Sequence, residues 1–197
     1  MGIMTHSFIT ECIVLKSKSY KEADKIFTLF TKSEGKINAI AKGVKKPISR
    51  KAGSLDVFDY SRVALSEWKD FFIITQAEII NPFSELKNDL VNQGFLYLIG
   101  ETLDKLLPYR EEYAGLFVKM PAKLEELSKC GKKQEVLIET LIMMLLEMGY
   151  WSANFPRDLE YIKGYIESLT DNKLGSANLI DKITKIGVRP HFTHFRL

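Results

Sequence analysis

Cysteine and histidine are scarce in this chain of 197 residues, which contains two cysteines and three histidines. Cys12 and Cys130 lie far apart and form no C-x-x-C pair, which argues against a disulfide framework and against a cysteine-based zinc site. His191 and His194 have a spacing that zinc ligands can use, but no third or fourth ligand accompanies them in the sequence. We therefore expect no bound metal and no other cofactor.

Long apolar runs and catalytic motifs are also missing. The longest apolar stretch, residues 141–148, is interrupted by Glu147 and is too short to cross a bilayer. The N-terminus shows no apolar run preceded by basic residues, so no secretory signal is expected. The motifs G-x-S-x-G, H-E-x-x-H and G-x-x-x-x-G-K-[ST] do not occur. These absences predict a cytoplasmic protein that contacts no membrane and is not an enzyme.

Positive charge is concentrated in the first part of the chain. Lysine and arginine exceed aspartate and glutamate by four over residues 1–80, whereas acids exceed bases by one over residues 81–197. Residues 35–54 contain six basic side chains and no acid. These six residues are Lys36, Lys42, Lys45, Lys46, Arg50 and Lys51. Such a segment can neutralise several phosphates of a nucleic acid, although a solvated basic loop would have the same composition.

The first 80 residues have the pattern of short strands separated by turns. β-branched and apolar residues favour strands, and a polar stretch at residues 17–24 is expected to interrupt them. The predicted strands cover residues 8–16, 25–31, 36–42, 60–66 and 71–78. A Gly-containing turn at residues 33–35 predicts one hairpin, and residues 67–70 predict the turn of a second. Five strands with one long connection predict a small barrel, either an OB-fold or an SH3-like barrel.

After Asn81 and Pro82 the apolar residues recur with a helical period. A stripe of Leu86, Leu90, Phe95, Leu98, Leu103 and Leu106 predicts a helix within residues 84–107. Further helices are predicted at residues 113–127, 134–148, 157–169 and 178–186. The fold class is therefore α+β, with an N-terminal barrel domain over residues 1–82 and a C-terminal helical bundle over residues 83–197.

Two aromatic residues of the barrel segment lie in polar surroundings. Tyr20 and Trp68 are candidates for stacking on bases, whereas Phe27 and Phe30 occupy strand positions and are expected in the core.

Glu22 and Asp24 resemble a paired acid and base, but we expect them to order a turn through local hydrogen bonds. Gly35 and Gly43 are predicted to serve backbone geometry, because glycine adopts positive φ at no steric cost. Neither glycine belongs to a phosphate-binding loop motif.

The order of these elements resembles the N-terminal domain of the RecO family. Residues 13–16 (IVLK), 20–31 (YKEADKIFTLFT), 35–36 (GK) and 41–46 (AKGVKK) occur in the family's sequence order. Ser49-Arg50, Leu55, residues 75–78 and Phe83 extend the resemblance, which covers roughly residues 8–83. In the helical half, Glu101 lies where the family has an acid among leucines.

The resemblance implies an OB-fold that binds single- and double-stranded DNA and anneals complementary strands. It implies partnership with RecR and with the C-terminal tail of the single-stranded DNA-binding protein, and indirect help in loading RecA. Many relatives carry a four-cysteine zinc cluster in the helical half, which this chain lacks, and this half is shorter than in the family, so partner contacts there are left open. An adaptor that has lost DNA binding and an RNA-binding barrel module are the alternatives.

Overall fold

A computed structural model describes residues 6–44, 55–68, 71–176 and 180 of the chain. Among these residues, five strands come first in the sequence and the helices follow. The strands are β1 (Ser7–Tyr20), β2 (Asp24–Thr31), β3 (Gly35–Ala41), β4 (Tyr60–Trp68) and β5 (Phe71–Asn81). The helices are α1 (Ser84–Lys87), α2 (Leu90–Leu106), α3 (Ala114–Lys129), α4 (Lys133–Glu147) and α5 (Leu159–Thr170).

The five strands form a closed barrel in the order β1-β2-β3-β5-β4. The neighbours pair antiparallel except β3 and β5, which run parallel and are joined at Ala39↔Phe72 and Ile40↔Ile73. This order is that of an OB-fold, so the expected α+β architecture, an OB-type barrel followed by helices, is confirmed. Both predicted hairpins are present as β2–β3 and β4–β5.

Alternate residues of each strand point into the barrel and form its core. Phe27 and Leu29 of β2 point inward together with Ile37 and Ala39 of β3, and all four are fully buried. Phe30 points to the outer side of the sheet, where it is buried against the ring of Phe117 with a centroid distance of 5.3 Å. The prediction that Phe27 and Phe30 are core residues is therefore confirmed, although they lie on opposite faces of β2.

The polar stretch at residues 17–24 does not interrupt the first strand where expected. β1 continues to Tyr20 and pairs with β2 through Tyr20↔Asp24, because the cross-strand ladder compensates for the low strand propensity of serine and lysine. β4 likewise continues through Glu67 and Trp68, which the sequence had placed in a turn. In both strands the tertiary pairing overrides the local signal.

The helices follow the predicted stripes with two differences. The segment predicted as one helix is divided into α1 and α2, because the Asp89 carboxylate accepts the N–H of Asn92 at 2.8 Å and caps a new helix start. Leu90, predicted in the buried stripe, is 47% exposed, whereas the other five members of the stripe are buried. The predicted helix at 178–186 falls outside the described residues except for Ile180.

The chain divides into two compact units. The first contains residues 1–83 and 106–121, and the second contains residues 84–105 and 122–197. Residues 106–121 thus group with the barrel although they follow the predicted boundary at residue 82. The division within α3 falls at Pro121, which removes one backbone hydrogen-bond donor from the helix. None of the helices in the described parts of the chain combines the length and the apolarity that crossing a bilayer requires.

Residues 109 and 110, which belong to the first unit, lie alongside β3. Arg110 donates its backbone N–H to the carbonyl of Lys36 at 2.9 Å, and Tyr109 forms a parallel bridge with Lys36. The Arg110 guanidinium also lies 2.8 Å from the carboxylate of Glu67 and 5.0 Å from the centre of the Phe72 ring. Because β3 and β5 pair at two residues near the end of β3, this segment covers the part of β3 that β5 leaves free.

Candidate nucleic-acid interface

Four of the eight predicted nucleic-acid-binding residues lie in the described part of the chain. These are Tyr20, Lys36, Lys42 and Trp68. The other four, Lys45, Lys46, Arg50 and Lys51, lie outside the described residues, in the connection between β3 and β4. Their predicted role in binding a phosphate backbone is neither supported nor contradicted by the structure.

Lys42 and Trp68 are brought together although 26 positions separate them in the sequence. The Lys42 ammonium lies 5.3 Å from the centroid of the Trp68 ring, within the range of a cation–π contact. Trp68 is 44% exposed at the end of β4, and Phe71, 39% exposed, follows at the start of β5. A positive charge and two accessible aromatic rings therefore share one place on the barrel, a combination that can bind a phosphate and stack on a base.

Tyr20 lies at the tip of the β1–β2 hairpin. Its ring is 39% exposed, and the ammonium of the exposed Lys21 lies 5.4 Å from the ring centroid. Lys21 adopts a φ of 51°, a left-handed conformation that this tight turn requires. This second pair again combines an aromatic ring with a cation.

Asp24 connects the hairpin tip to the end of β3. Its Oδ1 accepts the backbone N–H of Gly43 at 2.8 Å, and Gly43 has a φ of 71°. The expected local hydrogen bonding of Asp24 is therefore replaced by a bond across 19 positions, because the folded sheet places the end of β3 beside the start of β2. The bond holds Lys42 near the hairpin that carries Tyr20, and the positive φ predicted for Gly43 is confirmed.

Lys36 lies at the other end of β3, beside Tyr109. Lys42 follows Lys36 by six positions, a distance of about 20 Å along extended chain. The structure thus groups Lys42 with Trp68, and it places Lys36 at a separate position on the barrel. No local signal in the sequence distinguishes these two lysines.

Near the first half of β1, acidic side chains lie on the barrel surface. The Tyr60 hydroxyl donates to Glu11 Oε2 at 2.8 Å, and Arg62 lies between the carboxylates of Glu11 and Glu78 at 3.7 and 3.4 Å. Burial and the hydrogen bond to Glu11 raise the pKa of Tyr60 to about 12, so the phenol stays neutral at physiological pH. A surface on which two acids share one arginine does not favour a polyanion.

The described residues offer no catalytic arrangement of cysteine. Burial, with the nearby Asp59 carboxylate, raises the pKa of the Cys12 thiol, which keeps it protonated and unreactive. No cluster of three or more histidine, cysteine, aspartate or glutamate side chains suited to a metal occurs among the described residues.

In the helical unit, Glu101 joins α2 to residues 175 and 176. Its carboxylate accepts the N–H groups of Gly175 and Ser176 at 3.1 and 2.9 Å and the Ser176 hydroxyl at 2.5 Å, and Lys105 lies 3.1 Å away. Burial alone would raise the pKa of Glu101. The hydrogen bonds from Ser176, Gly175 and Lys105 outweigh that effect and lower the pKa to about 2. Glu101 therefore has a structural role.

We expect Glu101→Gln to lower the free energy of unfolding by about 1–2 kcal/mol at pH 7, since it weakens several charge-assisted hydrogen bonds at a partly exposed site. The depressed pKa stabilises the fold above pH 4.5, and this stabilisation is lost as the pH falls from about 4.5 towards 2. Urea unfolding at pH 7 and pH 3 should therefore show a difference between wild type and variant that narrows at the lower pH. Glu125→Gln, which alters an exposed ion pair with Lys129, is the control and should change stability little. Equal effects of the two substitutions would contradict the role of Glu101.

The barrel order and the helices that follow it define an OB-fold protein with a helical second part. The family model described as "Recombination protein O N terminal" matches residues 4–83, which include all five strands. The resemblance of the N-terminal segment to the RecO family is thereby confirmed.

Several curated proteins named DNA repair protein RecO are similar to this chain. The protein of Shouchella clausii is 34% identical over 139 residues, 71% of this chain and 54% of that protein. That of Symbiobacterium thermophilum is 29% identical over 136 residues, 69% of this chain and 54% of that protein. That of Heliobacterium modesticaldum is 40% identical over 98 residues, 50% of this chain and 36% of that protein. The chain thus spans about half the length of these relatives or less.

Proposed function

We propose that this chain is a DNA-binding mediator of recombination and repair that acts in the cytoplasm without catalysing a reaction. In this role it binds single- and double-stranded DNA, promotes annealing of complementary strands and assists recombinase loading. The proposed partners are a RecR-like protein, the C-terminal tail of the single-stranded DNA-binding protein and, indirectly, RecA. Similarity to proteins named for DNA repair supports the general role.

The observation that carries the proposal is the pairing of Lys42 with the exposed Trp68. In OB-folds, the outer face of β2 and β3 and the loops between β1 and β2 and between β4 and β5 bind oligonucleotides. Tyr20 flanks the first of these loops and Trp68 flanks the second. Stacking on the two rings would hold bases, while Lys42 and the basic residues of 45–51 neutralise phosphates.

The proposed annealing mechanism is electrostatic. Two complementary strands repel each other through their phosphates, and a basic surface that neutralises part of both charges lowers this repulsion. Lys42, Lys45, Lys46, Arg50 and Lys51 supply five positive charges within ten positions of the sequence. No bond is made or broken by the protein, so binding energy alone accounts for faster pairing.

Fluorescence anisotropy of labelled single-stranded DNA across a salt series tests the proposal, with strand annealing measured in parallel. We expect log K to fall with log salt concentration with a slope of about −3, the value for roughly four phosphate contacts on a single strand. We also expect annealing to be faster with the protein than without it. Absence of binding at low salt would overturn the proposal and favour a protein-interaction adaptor. Preference for RNA over DNA of the same sequence would favour an RNA-binding module.

A further inference from the structure

Arg110 lies in the connection between α2 and α3, and its side chain contacts two hairpins of the barrel. The guanidinium lies 2.8 Å from the carboxylate of Glu67, near the end of β4, and 3.5 Å from that of Glu34, in the turn between β2 and β3. It also lies 5.0 Å from the centre of the buried Phe72 ring of β5. One side chain therefore holds the β2–β3 turn to the paired ends of β4 and β5.

The backbone of Arg110 is held in place as well. Its φ is 59°, a left-handed conformation that is costly for residues other than glycine because the Cβ crowds the following carbonyl. Its N–H donates to the Lys36 carbonyl of β3 at 2.9 Å, and the N–H of Glu34 donates to the Thr31 hydroxyl at 3.0 Å, which fixes the turn. Such backbone outliers persist only where the surroundings over-determine them, and they cluster at functional sites. Arg110, Glu34 and Glu67 are here called the Arg110 clamp.

The Arg110 clamp holds one face of the β4–β5 hairpin, and two exposed aromatic rings lie on the other face. Glu67 pairs with Phe72, and the next pair along the hairpin is Trp68 with Phe71. Because successive strand residues point to opposite faces, Trp68 and Phe71 point away from the side on which the clamp lies. Phe72 is accordingly buried, whereas Trp68 and Phe71 are 44% and 39% exposed. The clamp therefore acts on the residue pair next to the two exposed rings.

We propose that Arg110 is a positioning residue for the stacking of bases on Trp68 and Phe71. This inference rests on the proposed DNA-binding function and adds a residue outside residues 4–83, which the family model matches. Rings that are already held in the orientation that bases require bind more tightly, because ordering them on binding would cost conformational entropy. Holding the neighbouring pair fixes the strand ends from which both rings project. Arg110 acts through these strand ends, since two carboxylates already neutralise its guanidinium.

The first test compares the wild type with Arg110→Ala in anisotropy titrations of oligo-dT across a salt series. We expect binding to weaken roughly 5- to 10-fold, the lower end of what one stacked base contributes. The log–log salt slope should stay unchanged, because no phosphate contact is removed. The matched control is Arg62→Ala, which also removes one arginine shared between two carboxylates, those of Glu11 and Glu78. The control should bind as wild type does, and an equal loss in both variants would overturn the inference.

A double-mutant cycle separates positioning from a general effect on the fold. If Arg110 acts through the two rings, Arg110→Ala should not weaken oligo-dT binding further in a Trp68→Ala/Phe71→Ala background. The cycle is measured at low salt, where phosphate contacts keep binding detectable. Additive losses would overturn the inference. The milder variant Arg110→Lys keeps the charge but lacks the planar fork that reaches both carboxylates, so its affinity should lie between those of wild type and Arg110→Ala.

The motion of the Trp68 ring can be measured without DNA. The sequence contains two tryptophans, so Trp151→Phe leaves Trp68 as the single tryptophan. In that background, Arg110→Ala should increase the amplitude of the fast fluorescence-anisotropy decay, which reports local ring motion on the nanosecond timescale. Arg62→Ala should leave the decay unchanged. A change in oligo-dT affinity without a change in the decay, or the reverse, would contradict positioning.

The failures of the two proposals are distinguishable. If wild type binds oligo-dT and Arg110→Ala matches Arg62→Ala in affinity and in anisotropy decay, the positioning role is refuted while the proposed function stands. If wild type binds no DNA at low salt, the proposed function fails and the positioning role fails with it, whatever the fluorescence shows.

Discussion

Replacing Gly35 with alanine is expected to lower the free energy of unfolding by about 3–5 kcal/mol. Gly35 has a φ of 61°, where an alanine costs about 1–2 kcal/mol. A Cβ at this position would also lie 1.7 Å from the backbone carbonyl oxygen of Glu111, a distance that no side-chain rotation can relieve. The segment beside β3 would have to move, and its hydrogen bond from Arg110 to Lys36 would be strained or lost.

Gly43→Ala is the matched control for this prediction. Gly43 has a φ of 71°, but an added Cβ would meet no atom within 4 Å. Gly43→Ala should lower the free energy of unfolding by about 1–2 kcal/mol, which is the cost of holding alanine at a positive φ. Equilibrium urea unfolding of both variants measures the difference, which isolates the contact with Glu111. Equal destabilisation would show that the segment around Glu111 can move away without loss of stability, and it would contradict the packing described for that segment.

If Gly35→Ala does not fold, Arg110→Ala provides a milder test of the same segment. It removes the guanidinium contacts with Glu67, at 2.8 Å, and with Glu34, at 3.5 Å, while the backbone bond to Lys36 is retained. These ion pairs are partly exposed, so a loss of about 1 kcal/mol is expected. Unchanged stability would show that the side chain of Arg110 does not hold the segment in place.

The second large effect is expected for DNA binding. Replacing Lys45, Lys46, Arg50 and Lys51 together with alanine should make the log–log salt slope for single-stranded DNA less steep by about 2.8. At 0.1 M salt this corresponds to a loss of affinity of two to three orders of magnitude. Strand annealing should slow in parallel, because neutralisation of both strands depends on the same charges. Anisotropy titrations across a salt series and an annealing assay measure the two effects.

The control for this variant removes the same number of charges from another part of the chain. Lys119, Lys129, Lys132 and Lys173 are exposed lysines outside the strands, and their joint replacement by alanine lowers the net charge equally. If both variants lose affinity to the same degree, net charge alone governs binding and the assignment to residues 45–51 is wrong. If affinity is unchanged in the first variant, the phosphate contacts lie elsewhere in the chain.

Part of the candidate site could be predicted from the sequence. Tyr20 and Trp68 were selected because they are aromatic residues in polar surroundings, and both are indeed exposed. Their roles in stacking remain predictions. Lys42 was selected for charge, but its contact with Trp68 could not be predicted. It depends on the parallel pairing that places the end of β3 beside the start of β5, which in turn pairs with the end of β4.

The sequence did not predict the direction of Lys16 and Lys18, two exposed residues of β1. In the sequence they follow an apolar run and resemble the polar end of a strand. Their common outward direction depends on one extra residue at Leu15, and a bulge leaves no reliable mark in composition. Alternation of lysines at i and i+2 was the available signal, and it identifies a common face without showing which neighbours share it.

The amino-acid sequence was sufficient for the strand and helix segments, the α+β order and the family, because periodic burial and motif order are properties of neighbouring residues. Strand ends, the division between α1 and α2 and the exposure of Leu90 required the structure, since pairing and capping outweigh local propensity there. The tertiary structure alone decided the bond from Gly43 to Asp24, the close approach of Glu111 to Gly35 and the bulge in β1 at Leu15. Each of these depends on register between segments distant in the chain, and a shift of one residue in register exchanges the two faces of a strand.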